Sequence, residues 1–456
     1  MSIQEPTVGG SRVPTGAAAS EVPTTDIAST DAAPTHATSR RRVVPLSAVP
    51  DAVSDPAVVA DLVRAATLRL AERFRATSAA DLTATFAIRL AGHGDLTVAV
   101  AAGRCSVTTG PAPDPDATLT TDVGTWLALV DGRTDGVSAF LDGSLRVNGD
   151  LALATRFETL FAPGPHNHRP QRSITTRTRG VTLDSLVAGS GPPVLLLHGL
   201  GASKVSFLPT VAALADRFEV HAIDLPGFGR SSKPLPMGRR YSMGWFADVV
   251  NGYLIENRLG AAHIVGNSMG GRIGLELALR HPRSVRSLAG LGSAVGFDHY
   301  RRIAPLLRHT QLQWLGVAPV RIPSSLIERV VRDLFHDPHV LPEANHLAAA
   351  DDVRRSLSDP GYRLALLACA RTLAAERSRG SRSYWSRLEG LRPPSLWIFG
   401  DHDRLVSSDY AQRIRTALPR AVVDVWEDIG HVPQFEAPER VGTTLTAWLT
   451  DADAAA

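Results

Sequence analysis

Cysteine, lysine and long apolar runs are what this chain of 456 residues has least of. Its two cysteines, Cys105 and Cys369, fall in segments that read as separate domains. No disulfide framework is expected, and reduced thiols point to a cytoplasmic compartment. Lysine occurs only at Lys204 and Lys233, so arginine carries nearly all the positive charge. The formal net charge is +3 and the arginines are scattered, which argues against the one-sided basic face of a nucleic-acid binder. No run of about 18 apolar residues exists, so no integral membrane span is expected. The N-terminus lacks the basic patch and apolar core of a signal peptide. Arg40-Arg41-Arg42 is followed by Pro45, Pro50, Asp51 and Asp55, not by the apolar segment that a twin-arginine signal requires.

What is present describes a globular protein with two cores. Hydrophobic residues make up 44% and charged residues 20%, and the length exceeds what one core usually organises. Residues 1–50 are rich in Ala, Thr, Ser and Pro and hold no aromatic residue, so they are expected to be a disordered tail. Residues 51–163 open with helical spacing (Val58, Leu62, Ala65, Ala66, Leu70, Phe74). Strand-like runs follow at Leu82–Leu90, Leu96–Ala101, Ser106–Thr109 and Ala117–Thr121, and helical patterning returns at Val123–Val130. After Val137–Leu141 come a short strand at Leu145–Val147 and a helix over Leu151–Phe161. The pattern is that of a small α+β layer. A polar linker is expected over 164–180.

From 181 to 456 apolar runs of strand length alternate with helical stretches. The runs are Val194–Leu197, Val220–Ile223, His263–Val265, Ser287–Leu291, Ser395–Phe399 and Val422–Trp426. Such alternation predicts an α/β domain, its mostly parallel sheet covered on both faces. Between about 297 and 391 it stops, and amphipathic stretches such as Leu306–Trp314, Leu326–Phe335 and Tyr362–Leu373 replace it. An insertion at strand carboxyl ends sits over the ligand crevice, so this segment is expected to be a helical lid.

Gly266-Asn267-Ser268-Met269-Gly270 is the only G-x-S-x-G in the chain. A strand enters it and a helix-compatible run, Arg272–Arg280, leaves it. A serine on that crowded turn projects its hydroxyl above the sheet, beside the N–H groups and positive dipole of a helix N-terminus. A serine that merely caps the helix is the alternative. A serine nucleophile needs a base, and the base needs an orienting acid. The strand Ser395–Phe399 runs into Gly400-Asp401-His402-Asp403, and Val422–Trp426 runs into Asp428-Ile429-Gly430-His431. The chain order Ser, Asp, His, all at strand ends, is the order this topology requires. Asp401 and Asp428 compete with Asp403 for the acid. His402 invites a metal reading, but no HExxH or spaced His/Cys set accompanies it, so a solvated loop histidine is expected. No metal and no cofactor is expected. The arginines of the lid read as its solvated face.

Five stretches in this domain resemble the α/β-hydrolase superfamily: Leu197-His198-Gly199-Leu200-Gly201, Asp224-Leu225-Pro226-Gly227-Phe228-Gly229, the Ser268 turn, Gly400-Asp401-His402-Asp403 and Gly430-His431-Val432-Pro433. The resemblance implies Ser268 as nucleophile, Asp403 as acid and His431 as base, with the backbone N–H groups of Leu200 and Met269 as oxyanion hole. It also implies that His198 holds loops together. Residues 115–161 resemble the sterol-carrier-protein-2 family through Asp116-Ala117-Thr118-Leu119-Thr120-Thr121 and the run Ala139 to Asp150. That second resemblance implies a five-stranded sheet and helices around an apolar tunnel for a lipid ligand.

The expected activity is hydrolysis of a carboxylic ester or thioester of an apolar, lipid-like substrate. Carbon–carbon bond hydrolysis on the same fold is an alternative, since Gly-Asn-Ser-Met-Gly-Gly also occurs there. Against it, Val432 follows His431 where those enzymes tend to carry an aromatic residue. A non-catalytic lipid-binding or transfer protein is the third reading, opposed by the intact Ser, Asp and His.

Overall fold

The computed structural model describes residues 56–80, 82–167, 170–293, 316–317, 322–375 and 384–454. The expected N-terminal tail and the expected lid helix Leu306–Trp314 lie outside them. The N-terminal unit runs α1 (Pro56–Glu72), β1 (Ala84–Leu90), β2 (Gly94–Ala101), β3 (Arg104–Thr109), β4 (Ala117–Thr121), α2 (Val123–Asp131), α3 (Gly136–Leu141), β5 (Leu145–Gly149) and α4 (Leu151–Thr159). Its five strands pair in the order β3-β2-β1-β4-β5. Aspartates start three of the helices: Asp122, Asp135 and Asp150 accept from the amides of Thr125, Ser138 and Leu153 and so satisfy donors that the helix leaves open.

The second sheet has eight strands. In chain order the elements are β6 (Gln171–Thr178), β7 (Val181–Ala188), β8 (Pro193–Leu197), α5 (Leu208–Leu214), β9 (Glu219–Ile223), α6 (Met243–Glu256), β10 (Ala262–Asn267), α7 (Met269–Arg280) and β11 (Val285–Leu291). After the insertion come β12 (Ser395–Gly400), a helix at Asp409–Ala417, β13 (Val422–Trp426) and helices at Pro433–Glu436 and Pro438–Ala454. The order is β13-β12-β11-β10-β8-β9-β7-β6. The strands from β8 to β13 are parallel, and β10 and β12 are buried along their whole length, as a sheet covered on both faces requires.

The expected linker over 164–180 is corrected here. Gln171–Thr178 is β6, which pairs antiparallel with β7 along its full length. The sheet therefore begins ten residues before 181. Arg179 and Gly180, both at positive φ (48° and 75°), make the two-residue turn whose twist matches a hairpin. The strand escapes a hydrophobicity reading because Ile174 is its one large apolar residue and it lies at the sheet edge.

Between β11 and β12 the described helices are Ser324–Arg332, Glu343–Ser358, Pro360–Ala375 and Tyr384–Leu388. One arginine departs from the expected solvated face: Arg363 is buried, with its guanidinium donating to the carbonyls of Gly316, Leu357 and Ser358. The insertion also touches the N-terminal unit. Glu343–Ser358 lies along β5, Asn345 Nδ2 donates to Phe140 O at 3.0 Å, and the Leu151 amide donates to Asp352 at 3.3 Å. The N-terminal core extends over this boundary, taking in Val205, Leu208 and Ala348. Both cysteines are free thiols. Among the described residues no helix is long and apolar enough to cross a membrane.

Candidate active site

Ser268 occupies the turn between β10 and α7 with φ 51° and ψ −117°, a conformation that L-residues hold only where the surroundings impose it. Glycine neighbours make the turn feasible. A Cβ on Gly270 would stand 1.8 Å from the carbonyl oxygen of Leu197, and one on Gly266 would meet the backbone of Gly270 and Gly271 at 2.3 Å. The Ser268 amide donates to Leu291 O at 3.0 Å, which fixes the turn to the end of β11.

The next two strands deliver the other groups. Asp403 follows β12 and His431 follows β13, and His431 Nδ1 donates to Asp403 Oδ2 at 2.8 Å with both side chains buried. The other carboxylate oxygen of Asp403 accepts the amides of Leu405 and Val406 at 2.8 and 2.9 Å, so the carboxylate cannot swing away. Gly292, directly after β11, lies under the pair: a Cβ there would be 3.3 Å from Asp403 Oδ2 and 3.4 Å from His431 Nδ1. Asn267 ties this pair to the serine turn. Its Nδ2 donates to Leu291 O at 2.9 Å and to His431 O at 3.1 Å.

The competing aspartates face elsewhere. Asp401 Oδ1 meets His402 Nδ1 at 2.8 Å and accepts the Ile429 amide at 3.3 Å. Asp428 is an exposed turn residue at φ 57° after β13.

The loop after β8 carries Leu200, α7 begins at Met269, and a Cβ on Gly199 would lie 3.3 Å from Ser268 Cβ, so this loop runs beside the serine turn. His198 ties this loop to its neighbour: Nδ1 donates to Gly199 O at 2.8 Å and Nε2 accepts the Leu225 amide at 2.9 Å. That pair of bonds requires the neutral imidazole, and burial pushes its pKa down accordingly.

Three contributors escape a reading by motif. Tyr362, in the inserted helix Pro360–Ala375, donates its hydroxyl to Gly201 O at 2.7 Å. Leu334 O, also in the insertion, accepts the His431 amide at 2.8 Å. Glu436 accepts the amides of Gly430 and His336 at 3.0 and 2.7 Å. Each lies far in sequence from the group that it holds or touches it through backbone, so no local pattern marks it.

Behind the loop, Lys204 is fully buried with Nζ 2.7 Å from both Asp184 and Asp224, and Arg156 of α4 lies 3.8 Å from Asp184. Burial alone would push the Asp224 carboxyl up; the Lys204 charge, the nearby His198 and the hydrogen bonds from Lys204 together outweigh it and hold the group low.

A strand–serine–helix turn next to a buried Asp–His pair on a parallel sheet defines a hydrolase architecture. The chain belongs to the alpha/beta hydrolase fold family, whose model matches residues 192–438, and residues 67–162 match the SCP-2 sterol transfer family. Over 55% of its length it is 29% identical to a pimeloyl-(acyl-carrier protein) methyl ester esterase of Aeromonas hydrophila, covering 93% of that protein. It is 27% identical to lipase 1 of Psychrobacter immobilis, over 57% of this chain and 77% of that one. A putative lipase from Acinetobacter baumannii shares the fold, with a TM-score of 0.53 at 22% identity over 63% of this chain and 93% of the other. The protein is thus a hydrolase of the esterase and lipase kind.

Proposed function

We propose that this protein hydrolyses carboxylic esters or thioesters with an apolar acyl part, through an acyl-enzyme on Ser268. His431 takes the Ser268 proton as the hydroxyl attacks and returns it to the leaving group; Asp403 fixes the imidazole tautomer and stabilises the imidazolium. Backbone N–H groups of Leu200 and Met269 donate to the carbonyl oxygen and stabilise the charge that develops on it. The 2.8 Å Asp403–His431 bond, buried and backed by two amides, carries this reading.

The apolar preference rests on the N-terminal unit. It holds an apolar cavity lined by Leu70, Trp126, Phe140 and Phe157. Val205 and Leu208, a few residues beyond the expected oxyanion loop, also line it. We read it as a lipid-ligand site that serves the hydrolase.

Turnover of nitrophenyl esters of graded chain length tests the activity. A preference for longer acyl chains is expected, with all turnover and all fluorophosphonate labelling lost in Ser268→Ala. Hydrolysis that survives this substitution in a folded protein overturns the assignment.

A further inference from the structure

The rim of the site carries a second side-chain cluster that the hydrolase reading does not use. His336 comes from the insertion, His402 follows β12 and Asp428 follows β13. One imidazole nitrogen of each histidine and one carboxylate oxygen of Asp428 all lie within 4.8 Å of one another. The two rings are 4.0 Å apart between centroids, and His336 Nε2 is 3.8 Å from Asp428 Oδ1. A cation placed between them would take both imidazoles and the carboxylate as ligands at once.

We propose that His336, His402 and Asp428 bind a divalent transition-metal ion of the zinc type, which clamps the insertion to the loops carrying Asp403 and His431. Two nitrogen donors and one oxygen donor suit zinc and exclude magnesium or calcium, which take oxygen. Around tetrahedral zinc, with bonds near 2.0–2.1 Å, donor atoms stand about 3.3 Å apart. All three side chains reach solvent, so rotation about their χ angles brings the donors in by the remaining distance. Solvent fills the fourth position.

Two surrounding features fit a metal. Asp401 engages His402 Nδ1 at 2.8 Å, the carboxylate–histidine arrangement that fixes a ring and leaves its other nitrogen bare for a metal. The backbone positions of the ligands are also held. His336 N donates to Glu436 at 2.7 Å, and the insertion passes so close to Gly430 that a Cβ there would stand 2.6 Å from His336 N. A metal bound here joins three segments, each within three residues of a group that contacts His431 or is His431 itself: Leu334, Asp403 and His431.

The test is isothermal titration of the EDTA-stripped full-length protein with Zn²⁺, and separately with Mg²⁺, alongside thermal unfolding. The expected result is one Zn²⁺ per chain with micromolar or tighter affinity, and a Tm raised by Zn²⁺ and not by Mg²⁺. His402→Gln and Asp428→Asn change exposed residues, and each is expected to weaken Zn²⁺ at least tenfold. Fluorophosphonate labelling of Ser268 without metal is expected to stay unchanged, which separates loss of metal from loss of the hydrolase site. No saturable binding overturns the proposal, and so does binding that both variants leave intact.

Discussion

Tyr362 and Gly201 are joined by a 2.7 Å hydrogen bond that links the inserted helix Pro360–Ala375 to the loop between β8 and α5. The tyrosine ring also packs edge-on against Phe228, with centroids 5.6 Å apart. The hydroxyl therefore steadies the backbone from which the Leu200 amide projects. Tyr362→Phe keeps the ring and removes the bond, worth about 1 kcal/mol. A fall in kcat of several-fold with little change in KM on a nitrophenyl ester is expected. An unchanged kcat would leave the tyrosine a packing residue only.

Asp403→Asn and Asp401→Asn are expected to separate sharply. An amide at 403 still accepts the Leu405 and Val406 amides, but turned so, it presents its NH₂ to His431 and favours the wrong imidazole tautomer. A loss of roughly 10³–10⁴ in kcat is expected, the scale known for this kind of replacement in serine proteases. Asp401 touches His402 and the Ile429 amide, so its variant is expected to lose less than tenfold. Steady-state kinetics on one ester substrate decides between them, and equal losses would contradict the assignment of the acid.

Lys204→Met tests the buried charge cluster. Asp184 and Asp224 would lose the ammonium between them, and breaking such a buried set costs about 3–5 kcal/mol. Urea unfolding is expected to show that loss. Because Arg156 of α4 also approaches Asp184, the N-terminal unit is expected to lose protection in hydrogen exchange alongside the hydrolase sheet.

Asp352 sits where the insertion meets the N-terminal unit, and burial, with the nearby Asp150 charge, pushes its carboxyl up to about 7. The folded protein then holds a proton that the unfolded chain releases near the ordinary aspartate value. Stability from this group is complete below that value and falls as pH rises towards 7, where the loss levels off. Asp352→Asn keeps an acceptor for the Leu151 amide and removes the titration. The Tm advantage of the variant over wild type is expected to be small at pH 4, to grow through neutral pH and to be flat above pH 8. A difference independent of pH would rule this out.

How much of this was legible beforehand follows from where the information lies. The inner parallel strands could be read because burial on both faces demands unbroken apolar runs such as Val194–Leu197, and the serine turn because its backbone admits only small neighbours. The β6–β7 hairpin could not, since an edge strand is free to be polar. The Arg179–Gly180 turn was its one local mark.

The sequence by itself determined the two families, the chain order of the chemistry-bearing loops and the residue types in them, because those depend on local backbone and hydrophobic periodicity. Tertiary structure alone decided which aspartate faces His431, that Tyr362 and Leu334 reach back to the site, and that His336 meets His402 across 66 residues of chain. Side-chain direction and packing between distant segments set those pairings, and neither leaves a spacing to read.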